Sequence, residues 1–574
     1  MVRRTALLAL FASTFAVSCA QLAGTGLVAG GADSALRSLA VGIPTTPGAP
    51  DFGQQPVLQQ DPSIVGQRVP ITFMYTSDIH SRVEPFAQSF YQRTYAGKGG
   101  FARLASMVKG LRQSEPNPTL LDSGDYLQGT PYYNFFKGEV ELRLMDKLKY
   151  DAITIGNHEF DSGMGALRQV LSSYRGRVVT SNMTFAPELA ARYAVFKAGN
   201  LRVGVFGLMA QVDGLIAPPN FLGARYYDPV VVARAAVAKL RKEADVIVCI
   251  SHVGTTPPYS DESVESTNHE HDQEDVDDFH DEAGTSEAPQ YADEKIAAQV
   301  QGINVILSGH THMLVKNPKV VRSGNWQTYI VSAGFGGGYL GKANAEIQDG
   351  RVVSFKNDLL PVNAAVPEDP AIAADIAPYK QRIDGKLKVK IGEATDVFKR
   401  YGSADIESTL NNLIADATLA ATRKVAKIDF AISSSGTPRS NMAAGPLTLE
   451  DAFFTLPFDN KLAIVQVRGD VAAEALRIKR RPREMKRHAV SNVTYALVPG
   501  TDRIKNIMVG GEPLDPKRTY TIAVTDYMAE GGSGFAMFIG ANRKDTGIVQ
   551  RDALINYIRE AGRITPEAGR ISPR

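Results

Sequence analysis

The sequence predicts an α/β (α+β) fold in two domains, the first larger than the second. Three observations predict it. Short apolar runs alternate with helical stretches over the first 310 residues or so. Five of those runs end in a polar residue of a type that ligates metals. And 574 residues are too many for one ordinary core.

The elements follow in order. Residues 71–75 read as a strand, with Asp78-Ile79-His80 just beyond it. Gly99-Gly100 opens a helix over 101–111. Residues 119–121 form a second strand ending at Asp122-Ser123-Gly124-Asp125, and a helix over 140–148 leads to a third at 152–155. That third strand stops at Gly156-Asn157-His158-Glu159-Phe160-Asp161. Residues 246–250 end at Ser251-His252, and residues 303–307 at Gly309-His310-Thr311-His312. In open α/β sheets ligands gather where strands end.

The first domain spans 69–366, closing before Pro367-Glu368-Asp369-Pro370. A linker over 367–387 carries a helix from 371 to 387. A second domain, 388–565, has a helix over 406–423 and strands near 428–432, 462–467 and 519–525. Residues 259–291 interrupt the first domain with an acidic stretch carrying His269, His271 and His280. It reads as a solvated insertion loop; the sharper alternative is a metal-capturing lid.

The start of the chain reads as an export signal. Arg3 and Arg4 precede an apolar run over 6–17. Ala16-Val17-Ser18-Cys19 resembles a bacterial lipobox, which places a lipid on Cys19 and the signal at 1–19. The alternative is ordinary cleavage and a soluble periplasmic protein. Residues 20–68, rich in Gly, Ala, Pro and Gln, read as a flexible tether. Lipidation of Cys19 leaves Cys249 as the one thiol, so no intramolecular disulfide is expected. A net charge of +2 gives no reason to expect a nucleic acid polymer as partner.

Five of the nine histidines, His80, His158, His252, His310 and His312, stand at predicted strand ends. With Asp78, Asp125 and Asn157 they offer mixed nitrogen and oxygen donors. Such a set suits two divalent ions, Mn²⁺, Zn²⁺ or similar. Two ions need a carboxylate between them, and Asp125, in a Gly-Asp turn, is the candidate. Asp161 can orient His158.

These blocks, in this order, resemble the calcineurin-like metallophosphoesterases. Gly124-Asp125-Tyr126-Leu127-Gln128-Gly129-Thr130 and Phe160-Asp161 narrow the resemblance to the 5′-nucleotidase and UDP-sugar hydrolase branch, over residues 69–538 apart from the insertion. It implies a four-layer metallophosphoesterase sandwich, two mixed sheets flanked by helices, joined by a helix to a smaller α/β substrate domain. It implies that Asp78, His80 and His312 hold one metal, that Asn157, His252 and His310 hold the other, and that Asp125 bridges. His158 and Asp161 would form the catalytic dyad, with a metal-activated water attacking phosphorus.

In the second domain, Leu456-Pro457-Phe458-Asp459-Asn460 and Tyr527 ahead of Gly531-Gly532 resemble the family's substrate pocket. The resemblance implies that Phe458 and Tyr527 sandwich a nucleobase, with Asn460 beside them and Arg439 on the phosphate or sugar side. Stacking of this kind is worth ~1–3 kcal/mol per base. Three positions depart from the family. Ile406 stands where an Arg is usual, Ser434 where an Asn is usual, and Ser533 where an Asp meets the ribose. Lost charge-assisted hydrogen bonds imply reduced selectivity.

The expected activity is hydrolysis of 5′-nucleotides to nucleoside and phosphate by an exported enzyme, periplasmic or lipid-anchored to the cell envelope. Alternatives are a UDP-sugar or 2′,3′-cyclic-nucleotide phosphodiesterase, a less selective phosphoesterase, or a thiosulfohydrolase, which the aromatic pair disfavours. A surface metal-binding lipoprotein is the alternative outside the enzymes; the dyad argues against it.

Overall fold

Alternation at a period of two builds the first domain. In the strand Val69–Thr76, Ile71, Phe73 and Tyr75 face one core and Met74 faces another. The same division recurs in Val246–His252, where Val246, Val248 and Ile250 turn one way and Ile247 and Cys249 the other. Both strands are therefore covered on both sides, which requires four layers. These strands belong to a computed structural model that describes residues 45–572, apart from 56, 88–93, 213–214, 257–291, 401–405, 480–486, 499–500 and 502. The signal at 1–19, Cys19 and the three histidines of the insertion lie outside the described residues.

Val69–Thr76 is the middle strand of a five-stranded mixed sheet. It runs antiparallel to Tyr339–Gln348 and parallel to Pro118–Asp122. Arg351–Pro361 and Ala152–Ile153 form the edges. The second sheet has six strands, with Trp326–Ala333, Val305–Ser308, Val246–His252 and Leu201–Met209 parallel to one another in its centre. The sheets share one core, in which Phe73, Leu121, Val205, Val248, Leu307 and Val331 meet. Helices Phe101–Ser114, Glu139–Leu148 and Gly163–Leu171 cover the outside of the first sheet. Helices Pro229–Leu240 and Asp293–Gln299 cover the outside of the second. This is the expected sandwich of two mixed sheets flanked by helices.

The expected third strand over 152–155 is shorter, pairing only at Ala152 and Ile153. Beyond Ile153 the chain turns inward to deliver Asn157 and His158.

The helix Pro370–Leu387 starts where Asp369 accepts the N–H groups of Ala371 and Ile372. Its residues Ile372, Ile376, Ile383 and Leu387 fall on one face and enter the core of the first domain. The linker helix is thus a packed part of the first domain. After it, a five-stranded sheet carries Phe430–Ser433, Thr519–Thr525 and Lys461–Arg468 at its centre. Helices Thr409–Arg423 and Gln550–Ala561 pack beside that sheet.

Three expected boundaries move. Residues 45–68, read as tether, lie against the first domain from Thr45 on. Thr45–Thr46 pairs with the strand Ala224–Tyr227, Phe52 packs on Tyr193, and Ile64 is buried. The helix expected from 406 begins at Thr409, because the Ser408 hydroxyl accepts the Asn411 N–H and so ends the helix there. The second domain continues past 565: Ile571–Ser572 pairs in parallel with Val493–Leu497.

The insertion leaves and re-enters at one point. The Asp293 N–H donates to the Gly254 carbonyl at 2.9 Å. Glu294 accepts from the Thr255 hydroxyl at 2.5 Å and pairs with Lys319 at 2.7 Å.

Glu407 holds the C-terminal strand. Its carboxylate accepts the N–H groups of Gly569, Arg570 and Ile571 at 2.7–3.1 Å. Glu407→Ala leaves three donors without that acceptor and should cost about 2–3 kcal/mol in the second domain. Urea unfolding monitored by far-UV circular dichroism checks this; an unchanged midpoint would contradict it.

Candidate active site

The two sheets bring their strand ends to one place. Ligand atoms of Asp78, His80 and His312 lie within 4.8 Å of one another, and so do those of Asp125, His252 and His310. His80, Asp125 and His158 form a third such group. Asp125 Oδ2 is 3.0 Å from His252 Nε2 and 4.0 Å from His80 Nε2, so it stands between the first two groups. His80 Nε2 and His312 Nε2 are 2.9 Å apart, and Asn157 Oδ1 is 3.2 Å from His252 Nε2. All seven residues expected as metal ligands therefore converge.

The local backbone is bent to achieve this. Asp78, His80, Asp125, His310 and His312 all have φ between 49° and 68°, in the left-handed region. Such residues cost of order 1–3 kcal/mol each and persist only where the surroundings impose them. Here the impositions are visible. The His310 N–H donates to Asp78 Oδ1 and the His158 N–H to Asp125 Oδ1, both at 2.9 Å. At Gly156 a Cβ would lie 2.2 Å from Asp125 Oδ1, so only glycine allows the loops to approach this closely.

The tautomers follow from the hydrogen bonds. His252 Nδ1 donates to the Ser123 carbonyl at 2.7 Å, which leaves Nε2 to face Asn157 and Asp125. His158 Nδ1 lies 2.8 Å from Asp161 Oδ2, so its Nε2 is turned toward the metal-type cluster. Burial pulls the His252 imidazole down, but the Asp125 and Asp78 carboxylates outweigh it and push it up to about 10. Asp125 goes the other way: burial raises it, and His252, His158 and His80 together hold it below its ordinary value. Asp78 goes up instead, because burial outweighs the nearby His252. Asp78 Oδ2 is buried and has no hydrogen-bond donor among the described residues. A buried acceptor left over in a set of carboxylates and imidazoles fits a divalent cation.

Two cavities open from this cluster. One, of about 530 Å³, is lined by Asn157, His158 and Asp161 together with Arg439, Phe458, Asn460 and Tyr527. The expected substrate residues thus share a cavity with the dyad. Phe458 and Tyr527 are half-buried and belong to no hydrophobic core among the described residues. The Phe458 ring stands 5.8 Å from His158, and the Arg439 guanidinium lies 4.9 Å from its centre. The Tyr527 ring lies flat on Gly532, where a Cβ would sit 2.4 Å from Cζ. Ser434 and Ser533 line the same cavity and hydrogen-bond each other at 2.9 Å. The second cavity, about 760 Å³, lies beside His80, His158 and His312 and extends away along Arg82, Arg400, Asn441 and Phe454.

Two residues escaped the sequence reading. Glu159 is buried, and its carboxylate accepts the N–H groups of Gly156, Asp125 and Leu127 at 2.6–3.0 Å, tying the Asn157 loop to the Asp125 loop. Arg400 is buried beside the larger cavity, while Ile406 packs against the core of the second domain. A guanidinium is therefore supplied six positions before the expected one. The Phe398 and Met442 backbones pair, which brings Arg400 next to the segment carrying Arg439.

Comparison with known proteins agrees with this geometry. Residues 71–314 match the calcineurin-like phosphoesterase family. Residues 390–540 match the 5′-nucleotidase C-terminal domain. Fold and site together define a metal-dependent phosphoester hydrolase. Human 5′-nucleotidase is 26% identical over 557 residues, covering 87% of this chain and 90% of its own. The 5′-nucleotidase of Vibrio parahaemolyticus is 25% identical over 542 residues, covering 85% and 89%. The crystal structure of a 5′-nucleotidase precursor from Thermus thermophilus superposes with a TM-score of 0.72 at 27% identity, covering 88% of this chain and 99% of that one. The chain belongs to the 5′-nucleotidase family of calcineurin-like phosphoesterases. Membership implies divalent metal ions, and the Asp and His groups described above are where they would bind.

Glu159→Gln tests the clamp. An amide has one accepting oxygen, so one or more of the three N–H groups would face an NH₂. Metal affinity should fall about 10- to 100-fold. Calorimetric titration of the metal-free protein with Mn²⁺ measures it.

Proposed function

We propose that this chain is an exported, two-metal phosphohydrolase that converts 5′-nucleotides to nucleoside and phosphate. One observation carries the reading: a single cavity is lined by Asn157, His158 and Asp161 and also by Arg439, Phe458 and Tyr527. Such a lining suits a phosphoryl group beside the histidine and a planar base against the rings. The names of the relatives support it.

Asp78, His80 and His312 would hold one cation, and Asn157, His252 and His310 the other, with Asp125 shared. The chemistry such cations supply when bound is polarisation of phosphoryl oxygens and a more acidic water. The chain's own residues supply the rest. Arg439 has the planar fork that holds phosphoryl oxygens. Asp161 holds His158 through Nδ1 and so leaves Nε2 to face the ester oxygen of a bound substrate. As the water oxygen bonds to phosphorus and the P–O5′ bond breaks, His158 in its imidazolium form would give its Nε2 proton to the leaving oxygen, while Nδ1–H stays hydrogen-bonded to Asp161.

The Ser434–Ser533 pair puts two neutral hydroxyls where the family resemblance implies an amide and a carboxylate. Selectivity for the nucleoside would be lower than with that amide and carboxylate in place. The larger cavity beside His80 and His312 favours a second reading, in which phosphodiesters or nucleotide sugars extend past the reacting phosphorus. Export and a lipid on Cys19 rest on the leader alone. Cell fractionation of the parent and of Cys19→Ser tests both.

Phosphate release from AMP, a UDP-sugar, a 2′,3′-cyclic nucleotide and an aryl phosphate tests the reading. AMP turnover is expected, with His158→Ala lowering kcat by about 10²- to 10⁴-fold and Asn157→Ala losing metal-dependent activity. Aryl phosphate cleavage with no use of AMP would keep the hydrolase and remove the nucleotide.

A further inference from the structure

Phe458 belongs to the second domain, yet its backbone is held by the first. The helix Pro131–Phe136 ends at Lys137, and two groups from this turn reach across. Asn134 Nδ2 donates to the Pro457 carbonyl at 2.7 Å, and Lys137 Nζ donates to Asp459 Oδ2 at 2.6 Å. These contacts flank Phe458 on both sides. From behind, Arg551 donates to the Leu456, Pro457 and Phe458 carbonyls at 2.9–3.3 Å and to Asp459 Oδ1 at 2.6 Å.

The contacts close into a ring across the seam between the domains. The Arg551 guanidinium lies 4.0 Å from the centre of the Phe453 ring. Phe453 stacks on Phe135 of the first domain, with centroids 5.5 Å apart and planes at 20°. Lys386 of the linker helix lies 4.9 Å over Phe135. Asp459 therefore sits between two cations, one from each domain. Burial raises its carboxyl, but Lys137 and Arg551 outweigh that and hold it below its ordinary value. Asp459 follows Phe458 in the chain, and the Phe458 ring stands 5.8 Å from His158.

We propose that Asn134 and Lys137 are positioning residues for nucleotide binding. From the first domain they fix the 457–459 segment so that Phe458 faces His158 as a platform for the base. The proposal rests on the nucleotidase reading given above. It assigns part of the substrate affinity to two residues, Asn134 and Lys137, that line neither cavity, acting through Pro457 and Asp459, which do. Lys137 is 46% exposed and Asp459 40% exposed, so the ion pair is screened by salt.

The test compares the metal-loaded parent with Asn134→Ala/Lys137→Met. KM for AMP should rise about five- to tenfold with kcat within about twofold. The aryl phosphate, which needs no base platform, should keep its KM within about twofold. The difference for AMP should narrow in ~0.5 M NaCl, where an exposed pair is screened. Lys137→Arg with Asn134 intact should restore the parent KM. Amide exchange over residues 453–460 should quicken in the double variant, whatever the substrate. Equal losses on AMP and the aryl phosphate, or unchanged exchange, would overturn the proposal. A parent that ignores AMP would remove the nucleotidase reading, and the exchange measurement would still decide whether this segment is held from the first domain.

Discussion

Two carboxylates, Asp78 and Asp125, are buried where two sheets meet, and much of the molecule is arranged around that fact. Each lies at the end of a strand and each has lost its water. A buried carboxylate needs partners, and imidazoles on neighbouring strand ends supply them here. That requirement explains why the sheets are stacked with their ligand-bearing ends together. It also explains the run of left-handed residues, since each loop must turn back sharply to aim its donor inward. The strain sits in the loops and the restraint sits in the sheets.

The strand-end ligands were legible in the sequence because each sits in a short local motif beside an apolar strand. Asp78-Ile79-His80 and Gly309-His310-Thr311-His312 could be read without knowing what they face. The four layers were less legible from pattern alone, since a run such as 246–250 is apolar at every position and does not reveal which residues face which core. Glu159 stood in plain view inside a motif, but its role depends on three N–H groups, two of them from a loop more than 30 residues away. Arg400 was illegible because a backbone pairing between residues 398 and 442, distant in sequence, brings it to the cavity.

The tether and the C-terminus show a different limit. Phe52, Ile64 and Ile571 each anchor a segment through one buried side chain or one short pairing. Such anchors have no period to detect. They hold because the receiving surface already exists, and that surface is made by elements far away in the chain. The linker helix is the opposite case. Its apolar face was present at helical spacing, and only the identity of the core that receives it needed the structure.

The base of the insertion has a consequence for how this protein can change. Gly254 and Asp293 meet through one backbone hydrogen bond, and Glu294 with Thr255 and Lys319 ties the crossing shut. Ser251, next to the metal-type His252, bonds Asp293 at 2.6 Å on the inner side of that crossing. These anchors join residues 251–255 to 293–294 and Lys319 and use no residue of 257–291. The strand that carries His252 would therefore keep its own fastening whatever chain is spliced between, and a reporter domain inserted there should leave hydrolysis intact.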